Sequence, residues 1–295
     1  MEVKPKILVT GSSGYLGRYL IKYAPAQGTS IIAQYRAKMP NDYGRDVQFL
    51  KLDFAEQDWS ALEAFSPDVV IHTAAMASID ECEVKPEISN YINFEVTRRL
   101  VDFTASKNAR FIFISSDVVF DGKKGNYSEK DKPIPQNVYA RSKTEAEKYV
   151  LENHNNAVVV RPALFYGLAL NGRPSFTETI MRNLYAGKQV FLFADQFRTP
   201  VAVNDLAAAL WELIELDYTG ILHLGGPQKV SRMEMGEMLC GLFKLDKSLL
   251  IPVKSDKAGL IAPRPLDCSL DTTLSQQLLQ TRFAGCESGF SISYR

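Results

Sequence analysis

The sequence has few histidines, few cysteines and no excess of charge of either sign. Three histidines, His72, His154 and His223, and four cysteines lie far apart in the 295 residues. This scatter gives no metal-ligand cluster and no disulfide framework, so we expect no metal and interpret the cysteines as reduced thiols of a cytoplasmic protein. Lys plus Arg and Asp plus Glu are both 34, so no net charge favours a nucleic acid partner.

Long apolar runs are also missing. The only continuous apolar run before a glycine-rich turn is 7–9, which is too short for a secretory signal. The longer apolar stretch over 157–170 is interrupted by Arg161 and Pro162, so we expect no membrane span. The composition, 46% apolar and 23% charged, is that of a globular protein large enough for a sizeable core.

Short β-branched segments alternate with longer amphipathic ones in the first half. Strands are predicted over 6–10, 30–35, 47–52, 69–73, 110–115 and 157–161. Helices are predicted over 15–23, 59–65, 86–106 and 137–152. Repeated strand-helix-strand units are typical of the α/β class with a doubly wound parallel sheet, the Rossmann fold.

After Pro162, glycines and prolines separate shorter elements. Helices are predicted over 175–186, 204–215 and 231–243, whereas 249–295 shows no clear pattern. We therefore expect a dinucleotide-binding domain over 1–162. The remainder, 163–295, is expected to be mainly a smaller substrate-binding lobe, with some elements returning to the first domain.

A glycine-rich segment follows the first predicted strand and opens the first predicted helix. It reads Thr10-Gly11-Ser12-Ser13-Gly14-Tyr15-Leu16-Gly17. Glycines at such a turn let the backbone approach a pyrophosphate, whose charge meets free N–H groups and the positive end of the helix dipole. The spacing has one residue more than the usual dinucleotide fingerprint, and a plain strand-to-helix turn is the alternative.

The residues at the end of the second predicted strand bear on the choice of cofactor. An acid about 20 residues after the glycines binds the free ribose 2′-hydroxyl of NAD, but no acid occurs between Ile21 and Asn41. Arg36 stands at that strand end, with Lys38 nearby, and a guanidinium suits a 2′-phosphate. The pattern favours NADP (NADPH) and leaves NAD open; the alternative is that both are solvated loop charges.

Tyr139 and Lys143 are four residues apart in a predicted helix, which places them on one face. A tyrosine that exchanges protons at neutral pH needs its pKa lowered by roughly 3 units, or about 4 kcal/mol. An ammonium at ~5 Å contributes on the order of 3 kcal/mol at an effective dielectric constant near 20. With Ser116 bound to the reacting oxygen, the three side chains would form a proton-transfer site beside a hydride carrier.

The order of these motifs resembles the extended short-chain dehydrogenase/reductases and, within them, the dTDP-4-dehydrorhamnose reductase group. The resemblance covers nearly the whole chain. Besides the glycine turn and Tyr139 with Lys143, it rests on Leu52-Asp53-Phe54, His72-Thr73-Ala74-Ala75 and Ser115-Ser116-Asp117-Val118-Val119-Phe120-Asp121-Gly122. The last segment distinguishes the reductase group from other extended members.

The resemblance implies roles for further residues. It makes Ser116, Tyr139 and Lys143 the catalytic residues of an NADPH-dependent reductase that acts on a nucleotide-linked keto-sugar. Cofactor contacts are implied for Asp53, Phe54, Ala74, Ala75 and Met76. Substrate contacts are implied for Asp117 and Val118. For Arg198 and Arg264, a substrate contact and a structural role are weighed equally. The substrate-side motifs also include Arg161-Pro162, Tyr166-Gly167 and Asp195-Gln196.

The chain departs from the group at three positions, and these departures leave the sugar and the nucleotide open. Ser116 replaces the usual Thr, Val118 the usual Tyr, and Ala140 the usual Gly. A nucleotide-sugar epimerase would use the same three catalytic residues. The same subgroup also contains a regulatory subunit of methionine adenosyltransferase, so a non-catalytic binding subunit is a further alternative. A homodimer is compatible with each of them.

Overall fold

The computed structural model of the protein describes residues 5–25, 28–56, 58–170 and 172–294. It divides into two compact units. Unit 1 comprises Met1–Ser115, Val138–Val160 and Ala207–Leu222. Unit 2 comprises Ser116–Asn137, Arg161–Leu206 and His223–Arg295. The two domains predicted from the sequence, 1–162 and 163–295, stay a prediction.

Strands and helices alternate through the first half of the chain and continue at shorter spacing after it. The strands are β1 (Lys6–Thr10), β2 (Ser30–Tyr35), β3 (Val47–Lys51), β4 (Val69–His72), β5 (Arg110–Ile114), β6 (Ala157–Pro162), β7 (Phe165–Tyr166), β8 (Val190–Phe193), β9 (Phe197–Arg198), β10 (Val201–Ala202), β11 (Gly220–Leu224), β12 (Val230–Ser231) and β13 (Leu250–Val253). The helices are α1 (Tyr15–Lys22), α2 (Ser60–Phe65), α3 (Ile79–Val84), α4 (Pro86–Asn90), α5 (Val96–Ser106), α6 (Val138–Asn153), α7 (Phe176–Tyr185), α8 (Val203–Glu215), α9 (Arg232–Phe243), α10 (Thr273–Leu278) and α11 (Cys286–Ser293).

The largest sheet has seven strands in the order β11-β6-β5-β4-β1-β2-β3. Six of them are the first six strands of the chain, and β11 is added from the second half. Its pairs from β6 to β3 are parallel, which confirms the doubly wound sheet predicted from the sequence. The strand order reverses between β1 and β4. Ligands of such sheets bind beyond the carboxyl ends of the strands at that reversal, so Thr10 and His72 mark the place to examine.

The predicted strands and helices of the first half agree with the structure to within one residue at each end, with two exceptions, and one strand of the large sheet from the second half was missed. The predicted helix over 86–106 consists of α4, a π-helical turn Tyr91–Glu95 and α5. Helix α3, capped by the Ser78 hydroxyl that accepts from Glu81 N at 3.3 Å, was not predicted. Strand β11 was also missed, because its five residues stand between a helix and a glycine pair and resemble a loop.

The core of unit 1 lies on the faces of the sheet, where apolar residues of β1, β4 and β5 pack against α2, α5 and α6. A buried arginine, Arg110, starts β5. Its guanidinium donates to the carbonyl oxygens of Leu213, Leu216 and Tyr218 at 2.8–3.1 Å. These bonds satisfy carbonyl groups at the end of α8 that the helix itself cannot bond.

Unit 2 contains short strand pairs and three packed helices. Strands β7 and β10, and β8 and β13, pair in parallel, and β9 and β12 are antiparallel. Helices α7 and α9 both begin with a capping box, Ser175 with Glu178 and Ser231 with Glu234, so their starts are encoded locally. Their buried faces form one core together with α11. In the described ranges no helix is long and apolar enough to cross a membrane.

Candidate active site

The glycine turn between β1 and α1 forms a close-packed cradle. Gly11 has φ +63°, and a Cβ there would lie 2.7 Å from the backbone of Ala74. A Cβ at Gly17 would lie 2.5 Å from the carbonyl oxygen of Gly11. Gly14 caps α1 without a side-chain hydrogen bond, so no cap side chain occupies the N–H groups at the start of the helix. The close backbone packing therefore requires glycine at positions 11 and 17, and the start of α1 lies at this turn, where a helix end favours an anion.

A buried glutamine on β2 holds this turn in place, and sequence reasoning missed it. Gln34 Oε1 accepts from Gly11 N at 2.8 Å, and its carbonyl oxygen accepts from Ser12 N and Ser12 Oγ at 2.9 and 2.7 Å. Its Nε2 donates to Leu52 O at 2.5 Å. The turn is thus fixed to the two neighbouring strands by a single side chain and its backbone.

The residues predicted to hold the adenosine part of the cofactor follow β2 and β3. Arg36 comes directly after β2 and is exposed. Phe54 is buried against Trp59, with ring centroids 5.1 Å apart. The Asp53 carboxylate accepts from Ala55 N at 3.0 Å. Arg36 therefore has the position that the sequence assigned to it, while Phe54 also belongs to the core of unit 1.

The segment after β4, with Ala74, Ala75 and Met76, is tied to α6 through one asparagine. Asn93, in the π-helical turn, accepts from Met76 N at 2.8 Å and donates to Met76 O at 3.2 Å. Its Nδ2 also donates to Ser142 Oγ at 3.1 Å, and Ser142 Oγ donates to Tyr139 O at 2.8 Å. The π-turn thus places one buried amide between the predicted cofactor cleft and the helix that carries Tyr139.

A second buried chain of hydrogen bonds crosses the strand reversal. Thr10 Oγ1 lies 2.7 Å from His72 Nδ1, and His72 Nε2 lies 3.0 Å from Thr97 Oγ1, which donates to Asn93 O. Thr10 Oγ1 also accepts from Thr73 N at 3.1 Å and Ala74 N at 3.2 Å, so it has its own proton to give His72 Nδ1. Burial lowers the pKa of His72 to about 3. His72 is therefore a neutral packed residue.

Tyr139 and Lys143 lie on the buried face of α6. Lys143 is only 2% exposed, and its Nζ lies 4.0 Å from the centroid of the Phe113 ring on β5. Burial lowers the pKa of Lys143 to about 7, and the charge of Glu147 opposes that effect. An ammonium with so little solvent around it interacts strongly with a neighbouring phenol or ligand hydroxyl.

Glu147 is a buried carboxylate that sequence reasoning missed. It lies one turn after Lys143 on the same face of α6 and is 2% exposed. Ser115 Oγ donates a short hydrogen bond to its Oε1. A glutamate at this spacing from a lysine is an ordinary surface pair in most helices, so only its burial against β5 makes it notable.

Ser116, Asp117 and Val118 belong to unit 2, where they form a short 3-10 turn, Asp117–Val119, and its cap. Ser116 Oγ accepts from Val118 N at 3.4 Å and lies 3.3 Å from Asp117 Oδ1. Asp117 is buried and its Oδ2 lies 3.3 Å from Arg198 Nε. Burial raises the pKa of the Asp117 carboxyl, and the charges of Arg198 and Arg232 oppose this effect.

The charges of two arginines, Arg198 and Arg232, act on Asp117 in unit 2, and the charge of Arg264 acts on Arg232. Arg198 is engaged by the protein itself, since its Nη1 and Nη2 donate to the carbonyl oxygens of Phe197, Leu266 and Pro265 at 2.6–3.1 Å. These bonds give Arg198 a role in holding the backbone beside Arg264. Burial lowers the pKa of Arg232 to about 9, and the charges of Arg198 and Arg264 add to this effect.

Arg232 was not predicted, and its contacts are less complete. Its Nη1 is buried and has no hydrogen-bond partner in the part of the chain that the structure describes. Its guanidinium lies 4.5 Å from the centroid of the Phe176 ring. A buried guanidinium N–H without an acceptor is costly, so the site favours an anionic ligand. The position of Arg232 at the start of α9 gave no sequence signal of this role.

The reversal of strand order, the glycine cradle and the buried Tyr139 and Lys143 pair together define a Rossmann-type short-chain dehydrogenase/reductase. A family model described as "RmlD substrate binding domain" matches residues 5–289. The chain belongs to this family, which confirms the resemblance to the dTDP-4-dehydrorhamnose reductase group.

Known proteins of similar sequence align with most of this chain and over most of their own length. "Probable low-salt glycan biosynthesis reductase Agl14" of Haloferax volcanii is 28% identical over 293 residues, covering 96% of this chain and 97% of that protein. "Methionine adenosyltransferase 2 subunit beta" of Xenopus tropicalis is 30% identical over 275 residues, covering 90% and 80%.

Solved structures show the same fold. A hypothetical dTDP-4-dehydrorhamnose reductase from Sulfolobus tokodaii is 32% identical, with a TM-score of 0.85 and coverage of 97% of this chain and 99% of that one. The Bacillus anthracis dTDP-4-dehydrorhamnose reductase in complex with NADP has a TM-score of 0.86, covers 99% of both chains and is 23% identical. Because the Bacillus anthracis protein is only 23% identical, this similarity supports the fold alone.

Proposed function

We propose that the protein is an NADPH-dependent reductase of a nucleotide-linked keto-sugar. The observation that carries the proposal is the placement of Tyr139 and the nearly unexposed Lys143 on one buried face of α6, in the same unit as the glycine cradle. Surface helices rarely bury a lysine without a strong partner. A reductase needs that ammonium next to its proton donor, which explains why the fold keeps it there.

The residues of unit 1 fit a dinucleotide. The cradle between Gly11 and Gly17 would hold the pyrophosphate on backbone N–H groups, and Arg36 would meet the 2′-phosphate that distinguishes NADP from NAD. When bound, NADPH supplies the hydride. The choice of NADPH over NADH rests on Arg36 and on the missing acid at the end of β2, and NAD remains usable at lower affinity.

Tyr139 gives the proton that balances the hydride. As the keto carbon is reduced, negative charge develops on its oxygen, and the Tyr139 hydroxyl donates its proton there. The Lys143 ammonium stabilises the resulting phenolate and binds the nicotinamide ribose hydroxyls. Ser116 keeps the role that the family resemblance implies, a hydrogen bond to a substrate oxygen. These roles for Ser116, Tyr139 and Lys143 are part of the proposal.

The arginines of unit 2 support a nucleotide diphosphate as the anionic part of the substrate. Arg232 has a buried donor without a partner, and Arg264 lies close enough for its charge to act on Arg232. Two guanidinium groups match the oxygens of a diphosphate. Asp117 and Val118 belong to the sugar side of this proposal, with Arg198 holding the backbone at Pro265 and Leu266.

The test is NADPH consumption by the purified protein with a panel of nucleotide-linked 4-keto-sugars, including dTDP-linked ones. We expect turnover with at least one of them, lowered by on the order of 10² to 10⁴ in Tyr139→Phe. Conversion of a sugar without net NADPH consumption would instead indicate an epimerase. Sedimentation of the active protein tests whether it is a homodimer, and fractionation tests the cytoplasmic location, both of which belong to the proposal.

A second candidate is a non-catalytic regulatory subunit. It is favoured by the 30% identity to a methionine adenosyltransferase subunit named above. If the protein is such a subunit, we expect it to bind NADP without turning over keto-sugars and to form a stable complex with a methionine adenosyltransferase catalytic subunit. Pull-down with that subunit, run beside the turnover assay, distinguishes the two functions.

A further inference from the structure

The buried face of α6 carries one charged residue that the proposed mechanism does not use. We propose that the carboxylate of Glu147 keeps the Lys143 side chain charged, which makes Glu147 a positioning residue of the site. The catalytic use of this charge rests on the proposed function. The pairing of the two residues is a property of unit 1 alone.

Glu147 is held from the side of the sheet. Ser115 Oγ donates to Glu147 Oε1, and Ser115 N donates to Val160 O at 2.7 Å, which joins the ends of β5 and β6. Glu147 is 2% exposed and lies one helical turn from Lys143. An ionised carboxylate in such a place is tolerated only with a donor and a cation nearby, and Ser115 and Lys143 supply them.

The groups facing Lys143 come from three elements. From β4 comes His72, which is neutral because burial lowers its pKa to about 3. From β5 comes the Phe113 ring, and from α6 itself come Tyr139 and Glu147. Among the residues that the structure describes, Glu147 is the carboxylate whose charge acts on Lys143.

Two effects on Lys143 therefore oppose each other. Burial lowers its pKa to about 7, and Glu147 acts in the opposite direction. Without Glu147, burial would act alone and the side chain would be a neutral amine at the pH of a cell. A neutral amine cannot stabilise the Tyr139 phenolate electrostatically. Glu147, which does not touch the substrate, would therefore control the fraction of the protein that has a charged Lys143 and can catalyse the reaction.

The experiment is an NMR titration of the ligand-free protein labelled with ¹³C at lysine Cε. Lys143→Met identifies the resonance by removing it. Glu147→Gln keeps the shape and the acceptor for Ser115 but removes the charge. We expect the Lys143 midpoint to fall by about one to two pH units in Glu147→Gln. This follows from two charges at the general spacing of side chains four apart on a helix, about 6 Å, at an effective dielectric constant near 20.

The matched control is Glu145→Gln, which removes the same charge from an exposed position on the same helix. Its Lys143 midpoint is expected to stay at the unmutated value. An unchanged midpoint in folded Glu147→Gln, or an equal fall in Glu145→Gln, overturns the proposal. If Glu147→Gln does not fold, Glu147→Asp replaces it; a smaller fall is then expected, and no fall overturns the proposal.

A second readout joins the pairing to function. In Glu147→Gln, NADPH affinity is expected to weaken about tenfold at pH 8 and less than twofold at pH 5. Above both midpoints the charged fraction of Lys143 is about tenfold smaller in the variant than in the unmutated protein, whereas at pH 5 Lys143 is largely charged in both. A pH-independent loss would indicate a merely structural role and would overturn the proposal. Absence of NADPH binding by the unmutated protein would reject the proposed function instead, while the NMR titration would still decide the pairing.

Discussion

Replacing Lys143 by Met together with Glu147 by Gln is expected to stabilise the ligand-free protein while it impairs function. The lysine is 2% exposed, and its pKa is lowered from 10.5 to about 7. Each pH unit of difference corresponds to about 1.4 kcal/mol, so holding the charged lysine in the folded state costs about 4 to 5 kcal/mol near pH 6 to 7. Met has a similar length and carries no charge, so it removes this cost. Gln at position 147 avoids leaving a buried carboxylate without its cation.

The sign of the pH dependence follows from proton counting. Between the folded pKa near 7 and the unfolded value near 10.5, the unfolded chain binds more protons at Lys143 than the folded chain does. Stability from this group therefore rises with pH across that interval. The advantage of the double variant, Lys143→Met with Glu147→Gln, over the unmutated protein should be largest at pH 6 to 7 and should decline as the pH approaches 10.5.

The assay is urea denaturation of both proteins at pH 6, 7, 8, 9 and 10 without cofactor, followed by circular dichroism. Comparing the two proteins at each pH cancels the titration of other groups. Equal stability at pH 7, or a difference that does not change with pH, would refute the reasoning. In the same preparation, NADPH affinity should fall, because the ammonium that destabilises the ligand-free protein is the one proposed to bind the ribose.

Three further substitutions test the remaining parts of the site. Arg36→Ala should erase most of a preference for NADPH over NADH in measured dissociation constants; equal affinities in the unmutated protein would contradict the role of Arg36. Gly14→Val should abolish dinucleotide binding in a folded protein, because the new side chain would occupy the pyrophosphate position, and retained affinity would show that the turn is only structural. Tyr139→Phe should lower single-turnover hydride transfer by on the order of 10² to 10⁴ with little change in NADPH affinity, and near-normal turnover would favour the regulatory subunit.

The sequence by itself determined the features that are local. The strand and helix periods predicted the six strands of the first half, since each period depends on neighbouring residues only. The glycine turn could be recognised because its three glycines lie within seven residues. Tyr139 and Lys143 could be paired because a helix places residues four apart on one face. The fold class followed from the repeated order of these elements.

Only the tertiary structure decided the contacts between residues distant in sequence. Ser115 meets Glu147 across 32 positions, and Asn93 meets Ser142 across 49, because α5 and α6 pack on strands that are neighbours in the sheet. Arg198, which the sequence left equally balanced between substrate and structure, is bonded to carbonyl groups 67 and 68 positions away. No local period encodes such pairs. These contacts depend on strand order and on burial. Burial also gives the ordinary helical spacing of Lys143 and Glu147 its proposed effect on the charge of Lys143.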